Sequence, residues 1–241
     1  MPEKDFYTTA EFAKLLGVSR IAVFNKIKKG EVKAQKMGRN FVILKKDVQE
    51  IEKNSSSLFK IAKKWAVTRE KIPDKFYCQN SAIFQTRLVK METLLQKDKN
   101  AKDLFSLLTS IAGEIGNNSF DHNLGQWPDI PGIFFGYDLN KKQIVLADRG
   151  LGILQTLKRV RPALKNHLEA LKTAFTEIIS GRSPESRGNG LKYVRHVIVK
   201  YPINLVFETG NAKLKLNNGN HNLIIEDVME SINGCLALIT W

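Results

Sequence analysis

The segment EIGNNSFDH, residues 114–122, is the feature that most limits how this chain can fold. Glu114, Asn118 and His122 recur at steps of four, so a helix through this segment carries all three on one face. A helix face that packs into a core carries apolar residues instead. A solvent-facing helix face seldom contains residues such as Gly116 and the adjacent asparagines, because glycine and asparagine are poor helix formers. We therefore expect this face to hold either a ligand or a buried polar network.

Residue periodicity indicates a mixed fold around this helix. Helical periodicity covers residues 80–97, 101–122, 151–160, 164–180 and 190–200. Strand-like runs cover residues 132–139, 143–148, 204–209, 212–216, 222–227 and 235–241. Helices packed on one mostly antiparallel sheet predict an α+β fold, a two-layer α/β sandwich, for this part of the chain.

The N-terminal residues have a different pattern, with two short helices followed by two strands. Thr8 or Thr9 can cap the first helix, and Ser19 can cap the second, which ends at Gly30. The strand-like runs VKAQKM and NFVILKK follow, joined by a turn at residues 38–39. This order predicts a small winged helix-turn-helix.

Residues 6–52 resemble the excisionase-type DNA-binding family. The resemblance is carried by Thr8, Glu11, Ala13, Leu16, Gly17, Val18, Ser19 and Val23, with Gly38 and Arg39 at the wing turn. It implies that the second helix enters the major groove of double-stranded DNA. The candidate DNA contacts are Ser19, Arg20, Asn25, Lys26, Lys28, Lys29 and Arg39.

These candidates divide by the part of the DNA that they would contact. Arg20 and Asn25 lie away from the apolar face and are candidates for base edges. The three lysines are candidates for phosphates, and Arg39 is a candidate for the minor groove or the backbone. One such module rarely supplies enough specificity, so we expect a homodimer or a protein partner. The alternative is a helix-turn-helix used only for protein contacts.

The charge of the chain agrees with a polyanion partner. The formal net charge is +14. Residues 1–75 carry 18 Lys and Arg against 9 Asp and Glu, and the remaining residues carry 20 against 15. A basic excess concentrated near the N-terminus favours nucleic acid, although a merely soluble basic protein would show the same excess.

Two glycine-containing motifs follow the polar helix. DRGLG, residues 148–152, comes directly after a strand, and RGNGL, residues 187–191, opens a helix. Each motif alone is weak, because a tight turn or a helix start has the same composition. The polar helix and these two motifs, in this order, are much less expected by chance.

Residues 80–241 resemble the GHKL ATPase family, which includes gyrase and the histidine kinases. The resemblance is carried by Glu114, Asn118 and Ser119, then Asp148, Gly150 and Gly152, then Gly188, Gly190 and Leu191. It implies a Bergerat-type ATP-binding fold, in which Mg-ATP lies between the helices and the sheet. The segment between the second and third motifs would be a mobile lid.

The resemblance also implies a role for each motif. Asn118 would bind Mg²⁺, which takes few protein oxygens, and Glu114 would activate a water near the γ-phosphate. Asp148 would accept from the adenine amine. The glycines would let the backbone approach the base and the phosphates. The candidate nucleotide contacts are Asn118, His122, Asp148, Gly150, Gly152, Arg187, Gly188, Gly190 and Leu191.

Together these patterns predict three segments and two alternative functions. Residues 1–57 would be the DNA-binding domain with its linker, and residues 80–241 the ATP-binding domain. Residues 58–79 would be a basic connector between them, in which the Lys-rich residues 58–76 could also form a helix. The chain would be a DNA-binding regulatory protein controlled by ATP and Mg²⁺. The alternative is a protein serine/threonine kinase of the anti-sigma-factor type, tethered to DNA. Whether the site also hydrolyses ATP stays open.

The sequence favours a cytoplasmic setting. Cys78 and Cys235 are far apart, so a disulfide framework is not expected. The N-terminal residues do not form a signal-peptide pattern. No apolar run approaches the roughly 20 residues that cross a bilayer, so no membrane partner is expected.

Overall fold

The structure is a computed structural model that describes residues 5–16, 19–30, 32–38, 40–48, 58–68, 70–177 and 190–241. The chain divides into two compact units, Met1–Ser57 and Leu58–Trp241. Helices and antiparallel sheets occur in both units, which confirms the α+β class expected from the sequence.

The described residues of the N-terminal unit form helices and a three-stranded antiparallel sheet, and residues 45–48 are also helical. Its elements are β1 (Phe6–Thr8), α1 (Thr9–Leu16), α2 (Arg20–Lys28), β2 (Gln35–Met37) and β3 (Asn40–Leu44). The strand order is β1-β3-β2. Its small core is formed by Phe12, Ala13, Val23, Val32, Ile43 and Val48.

Thr8 caps α1, which decides between the two caps that the sequence allowed. Its backbone N–H donates to Glu11 Oε2 at 2.9 Å, and the Glu11 N–H donates to Thr8 Oγ1 at 3.2 Å. This reciprocal pair satisfies two donors at the start of the helix. Thr9 is buried instead, and its hydroxyl accepts from Arg20 Nε at 3.1 Å.

The C-terminal unit is built on a five-stranded antiparallel sheet of order β4-β5-β6-β8-β7. Its strands are β4 (Tyr77–Cys78), β5 (Ile133–Asp138), β6 (Gln143–Asp148), β7 (Asn204–Leu216) and β8 (Ile224–Thr240). Its helices are α3 (Leu58–Thr68), α4 (Ser81–Lys97), α5 (Phe105–Asn123), α6 (Gly152–Lys158), α7 (His167–Thr176) and α8 (Gly190–Lys200).

The four strand-like runs near the C-terminus form two long strands rather than four short ones. The run at 204–209 continues into the run at 212–216, because a bulge between Thr209 and Ala212 absorbs the intervening residues. Gly210 in this bulge has a φ of 54°, a conformation that glycine adopts without strain. Residues 224–240 are likewise one strand.

One helix, α3, covers the face of the sheet opposite to the main core. The segment that contains it was expected to be a basic connector. Its buried residues Leu58, Ala62 and Trp65 are spaced by one helical turn and pack against Phe134 and Leu236. Lysines between these positions obscure the apolar stripe in the sequence.

The main core lies on the other face of the sheet, under α4, α5, α7 and α8. Gly116 is explained here, because a Cβ atom at this position would lie 2.2 Å from Phe84 Cζ. Only glycine lets α5 approach α4 this closely.

Among the described residues, no helix is long and apolar enough to cross a bilayer.

Candidate functional site

The polar face of α5 lies against the start of α8. Glu114 and Asn118 are both half-buried. A Cβ atom on Gly190, the first residue of α8, would lie 2.4 Å from Glu114 Oε2 and 3.3 Å from Asn118 Nδ2. Two segments more than 70 residues apart in the sequence therefore meet at these side chains. The backbone of the α8 N-terminus approaches them closely only because residue 190 has no side chain.

A second row of polar residues on α5 holds the turn after β6. Ser119 Oγ donates to Asp148 Oδ2 at 2.7 Å. Asn123 Oδ1 accepts from the Leu151 N–H at 2.8 Å, and its Nδ2 donates to the Ser119 carbonyl at 2.7 Å. The helix thus contacts both of the other motifs that the sequence analysis singled out.

Asp148 is buried where α5, the turn after β6 and β8 meet. Its side chain is 2% exposed. Besides the Ser119 hydroxyl, it accepts from the Gly150 N–H at 2.8 Å and from the backbone N–H of Cys235. Burial raises the pKa of Asp148 from its ordinary 3.8 to about 6, although these hydrogen bonds oppose the rise. The pKa of the Cys235 thiol is also raised, mainly by burial and to a lesser extent by the negative charge of Asp148.

This raised pKa predicts a pH-dependent stability difference between the wild-type protein and Asp148→Asn. The folded state holds the proton more tightly than the unfolded chain, so ionisation of Asp148 costs stability as the pH rises from about 4 to about 6. At about 1.4 kcal/mol per pKa unit, the full cost is about 3 kcal/mol above pH 6.

Urea unfolding of both proteins at pH 4, 5, 6 and 7 measures this cost. Asparagine can donate to Ser119 and accept from the Gly150 N–H, so we expect the variant to fold. Between pH 4 and pH 7, we expect the free energy of unfolding of the variant to rise by about 2 to 3 kcal/mol relative to that of the wild-type protein. If the difference in free energy of unfolding between the two proteins does not change with pH, the raised pKa of Asp148 is contradicted.

The two glycines of the second motif pack tightly against protein atoms. A Cβ atom on Gly150 would lie 2.2 Å from Asn123 Nδ2. Gly152 has a φ of 72°, and its Cβ would lie 3.0 Å from Thr209 Oγ1. A cavity of about 280 Å³ borders this turn and is lined in part by Gln155, His167 and Thr209.

The remaining nucleotide candidates have different surroundings. Leu191 is half-buried and packs against the main core. His122 is half-buried one turn beyond Asn118 on α5. The neighbouring Asn117 is exposed and accepts from Gln85 Nε2 at 2.7 Å, so it faces α4. Arg187 and Gly188 lie outside the described residues.

The DNA candidates of the N-terminal unit lie on or beside α2. Ser19, Asn25, Lys28 and Lys29 are exposed, and Lys26 is half-buried. Arg20 is exposed, but its guanidinium donates to Thr9 and lies 5.6 Å from the centre of the Phe24 ring. Arg39 lies outside the described residues.

The sequence analysis did not identify two residues that form hydrogen bonds in the site, Asn123 and Thr209. Asn123 could have been found, because it lies four residues after Ser119 on the same helical face. Thr209 gave no signal: it lies inside a strand, where its hydroxyl accepts from the Ile153 N–H at 3.2 Å and donates to the Gly234 carbonyl at 2.9 Å. A strand threonine is too common to predict such contacts.

The donor set of the α5 face is compatible with Mg²⁺. Within the described ranges, no group of three or more His, Cys, Asp or Glu side chains is arranged to hold a metal ion. Glu114 and Asn118 offer one carboxylate and one amide. This small oxygen set fits Mg²⁺, which keeps several waters and binds substrate phosphates, and it does not fit zinc.

Comparison with known proteins does not assign the chain to a family. Neither a scan against models of protein families nor a search of curated proteins gives a match.

Proposed function

We propose that the chain is an ATP-binding, DNA-binding regulatory protein. A Bergerat-type Mg-ATP site of the GHKL class in residues 80–241 would control a winged helix-turn-helix in residues 1–57. The observation that supports this most is the contact of α5 with the other two motifs. Glu114 and Asn118 lie against Gly190, and Ser119 binds Asp148.

Each residue of this face would have a specific task. Asn118 would give one amide oxygen to Mg²⁺ without adding negative charge beside the phosphates. Glu114 would orient a water and accept its proton. The free N–H groups at the start of α8 would face the phosphates, where the helix dipole favours negative charge. Bound Mg²⁺ would neutralise charge on the phosphate oxygens.

Asp148 would select the adenine base. Its carboxylate already accepts three hydrogen bonds, from the Ser119 hydroxyl and from the backbone N–H groups of Gly150 and Cys235. A carboxylate has about four acceptor positions, so one position is left for an exocyclic amine. Guanine presents a carbonyl at the corresponding place on the ring, so two acceptors would face each other and repel without a hydrogen bond.

The proposed DNA contacts predict a change in salt dependence. Lys28, the last residue of α2, and Lys29, which follows it, are both exposed. Each would neutralise one phosphate. In the double variant Lys28→Gln/Lys29→Gln, we expect the slope of log K against log salt concentration to fall by about 2. Fluorescence anisotropy with a labelled duplex measures this slope. Lys165→Gln/Lys172→Gln removes two exposed lysines of the other unit and should leave it unchanged.

Control of DNA binding by ATP is the test of the proposed function. Duplexes that bind the full chain are first selected from a random 20-base-pair pool. The affinity of the best duplex is then measured with and without saturating Mg-ATP. We expect a change of at least about fivefold, the lower end of typical allosteric coupling. An unchanged affinity, or a pool that yields no binding duplex, would contradict the proposal.

A further inference from the structure

A groove at the outer edge of the sheet lies apart from the polar face of α5. It encloses a cavity of about 400 Å³ between α4 and β5. The edge groove, as we name it, is lined by Lys75, Phe76, Arg87, Lys90, Gly136 and Tyr137. Its volume is within the range of ligand-binding pockets.

The strand beside this groove has an open edge. Within the described part of the chain, β4 pairs with β5 only at Tyr77 and Cys78, and the Phe135 N–H donates to the Phe76 carbonyl at 2.8 Å. No other described strand continues along β5 on this side. Backbone groups of alternate residues in a strand face the same side, so the N–H and C=O of Tyr137 also face the groove. An added strand could pair with them.

The groove has one sign of charge. Lys75, Arg87 and Lys90 line it, and no carboxylate is among its lining residues. The Arg87 guanidinium donates to the carbonyls of Asp74 and Lys75, both at 2.9 Å, so its charge is fixed in place. The two lysines are exposed and can follow a ligand. This arrangement is complementary to an acidic partner.

The aromatic rings of the groove already pack against protein groups. Phe76 stacks on Phe134 with ring centres 5.1 Å apart, and Lys75 Nζ lies 4.8 Å from the Phe76 centre. Phe135 is buried and packs edge-on against Phe84. Single-stranded nucleic acid needs free ring faces on which bases stack. The open strand edge and the engaged rings therefore favour a peptide over a nucleic acid.

We propose that the edge groove binds an acidic, extended segment of a partner protein. The segment would lie beside β5 as an added strand and form backbone hydrogen bonds with Tyr137. Its side chains would alternate between the two faces of the sheet. On the α4 face of the sheet the segment would contact Tyr137, and on the opposite face it would contact Phe76. Its acidic side chains would pair with Lys75 and Lys90. This site does not depend on the nucleotide proposal.

A phage-displayed library of random twelve-residue peptides tests this site on the immobilised full chain. We expect the wild-type protein to enrich acidic sequences with alternating apolar residues. The double variant Lys75→Glu/Lys90→Glu should not enrich them. Both lysines are exposed, so the variant should fold, which circular dichroism checks. Lys97→Glu/Lys102→Glu is the matched control, because these lysines are exposed but do not line the groove.

The best enriched peptide is then synthesised, together with copies N-methylated at alternate amides in either register. We expect the peptide to bind the wild-type protein at least tenfold more tightly than the double variant, and one N-methylated copy to bind at least tenfold more weakly. The proposal is overturned if no acidic peptide is enriched, if the double variant enriches the same peptides, or if neither copy binds more weakly. A twelve-residue oligothymidine whose binding requires Lys75 and Lys90, with no peptide doing so, would also overturn it.

Discussion

Replacement of Gly116 by alanine is expected to destabilise the C-terminal unit by about 2 to 3 kcal/mol, the cost of an overpacked core. The new Cβ would lie 2.2 to 2.9 Å from three carbons of the Phe84 ring. Phe84 is fully buried and packs against Phe120 and Phe135, so its ring has no room to move aside. The higher helix propensity of alanine offsets at most about 1 kcal/mol.

Gly113 provides the matched control on the same helix. It is also buried, but a Cβ at this position would lie 3.4 Å from Leu88 Cδ2, an ordinary contact with a flexible side chain. Gly113→Ala should therefore stabilise the protein by up to about 1 kcal/mol. Urea unfolding of both variants measures the two changes. Equal effects would show that helix propensity, rather than the approach of α5 to α4, decides the role of Gly116.

The helices around the site were predictable because their patterns are local. Helical periodicity gave α4 and α5 to within a few residues, and the spacing of Glu114 and Asn118 predicted that they share a face. The strands Ile133–Asp138 and Gln143–Asp148 were also predictable from their apolar runs and the turn between them. Local patterns do not, however, say which segments of the chain come together.

The features that were not predictable depend on contacts between distant segments. Helix α3 packs by four buried residues set among lysines, so the sequence could not decide between a basic helix and a connector. The runs 204–209 and 212–216 form one strand, β7, because of a bulge at Gly210, and residue propensities do not predict such a bulge. Asp148 was expected to face a base. Its burial by Ser119, Gly150 and Cys235 required the tertiary structure.

Asn118 is the residue on which the nucleotide proposal depends most. Its amide lies beside Glu114 and the start of α8, where it would bind Mg²⁺ on the phosphates. We expect Asn118→Ala to weaken Mg-ATP binding at least tenfold, because the site loses its metal-binding oxygen. Asn117→Ala should leave this binding unchanged, because Asn117 contacts Gln85 of α4. Both changes leave the apolar core intact.

Isothermal titration of the full chain with ATP tests the central claim most directly. Wild-type protein, Asn118→Ala and Asn117→Ala are each titrated in Mg²⁺ and in EDTA, with GTP as the comparison ligand. We predict Mg²⁺-dependent ATP binding by the wild-type protein and Asn117→Ala, at least tenfold weaker binding by Asn118→Ala, and weaker binding of GTP throughout. Equal ATP affinities for the two variants, or no binding by the wild-type protein, would contradict a nucleotide site on this helix face.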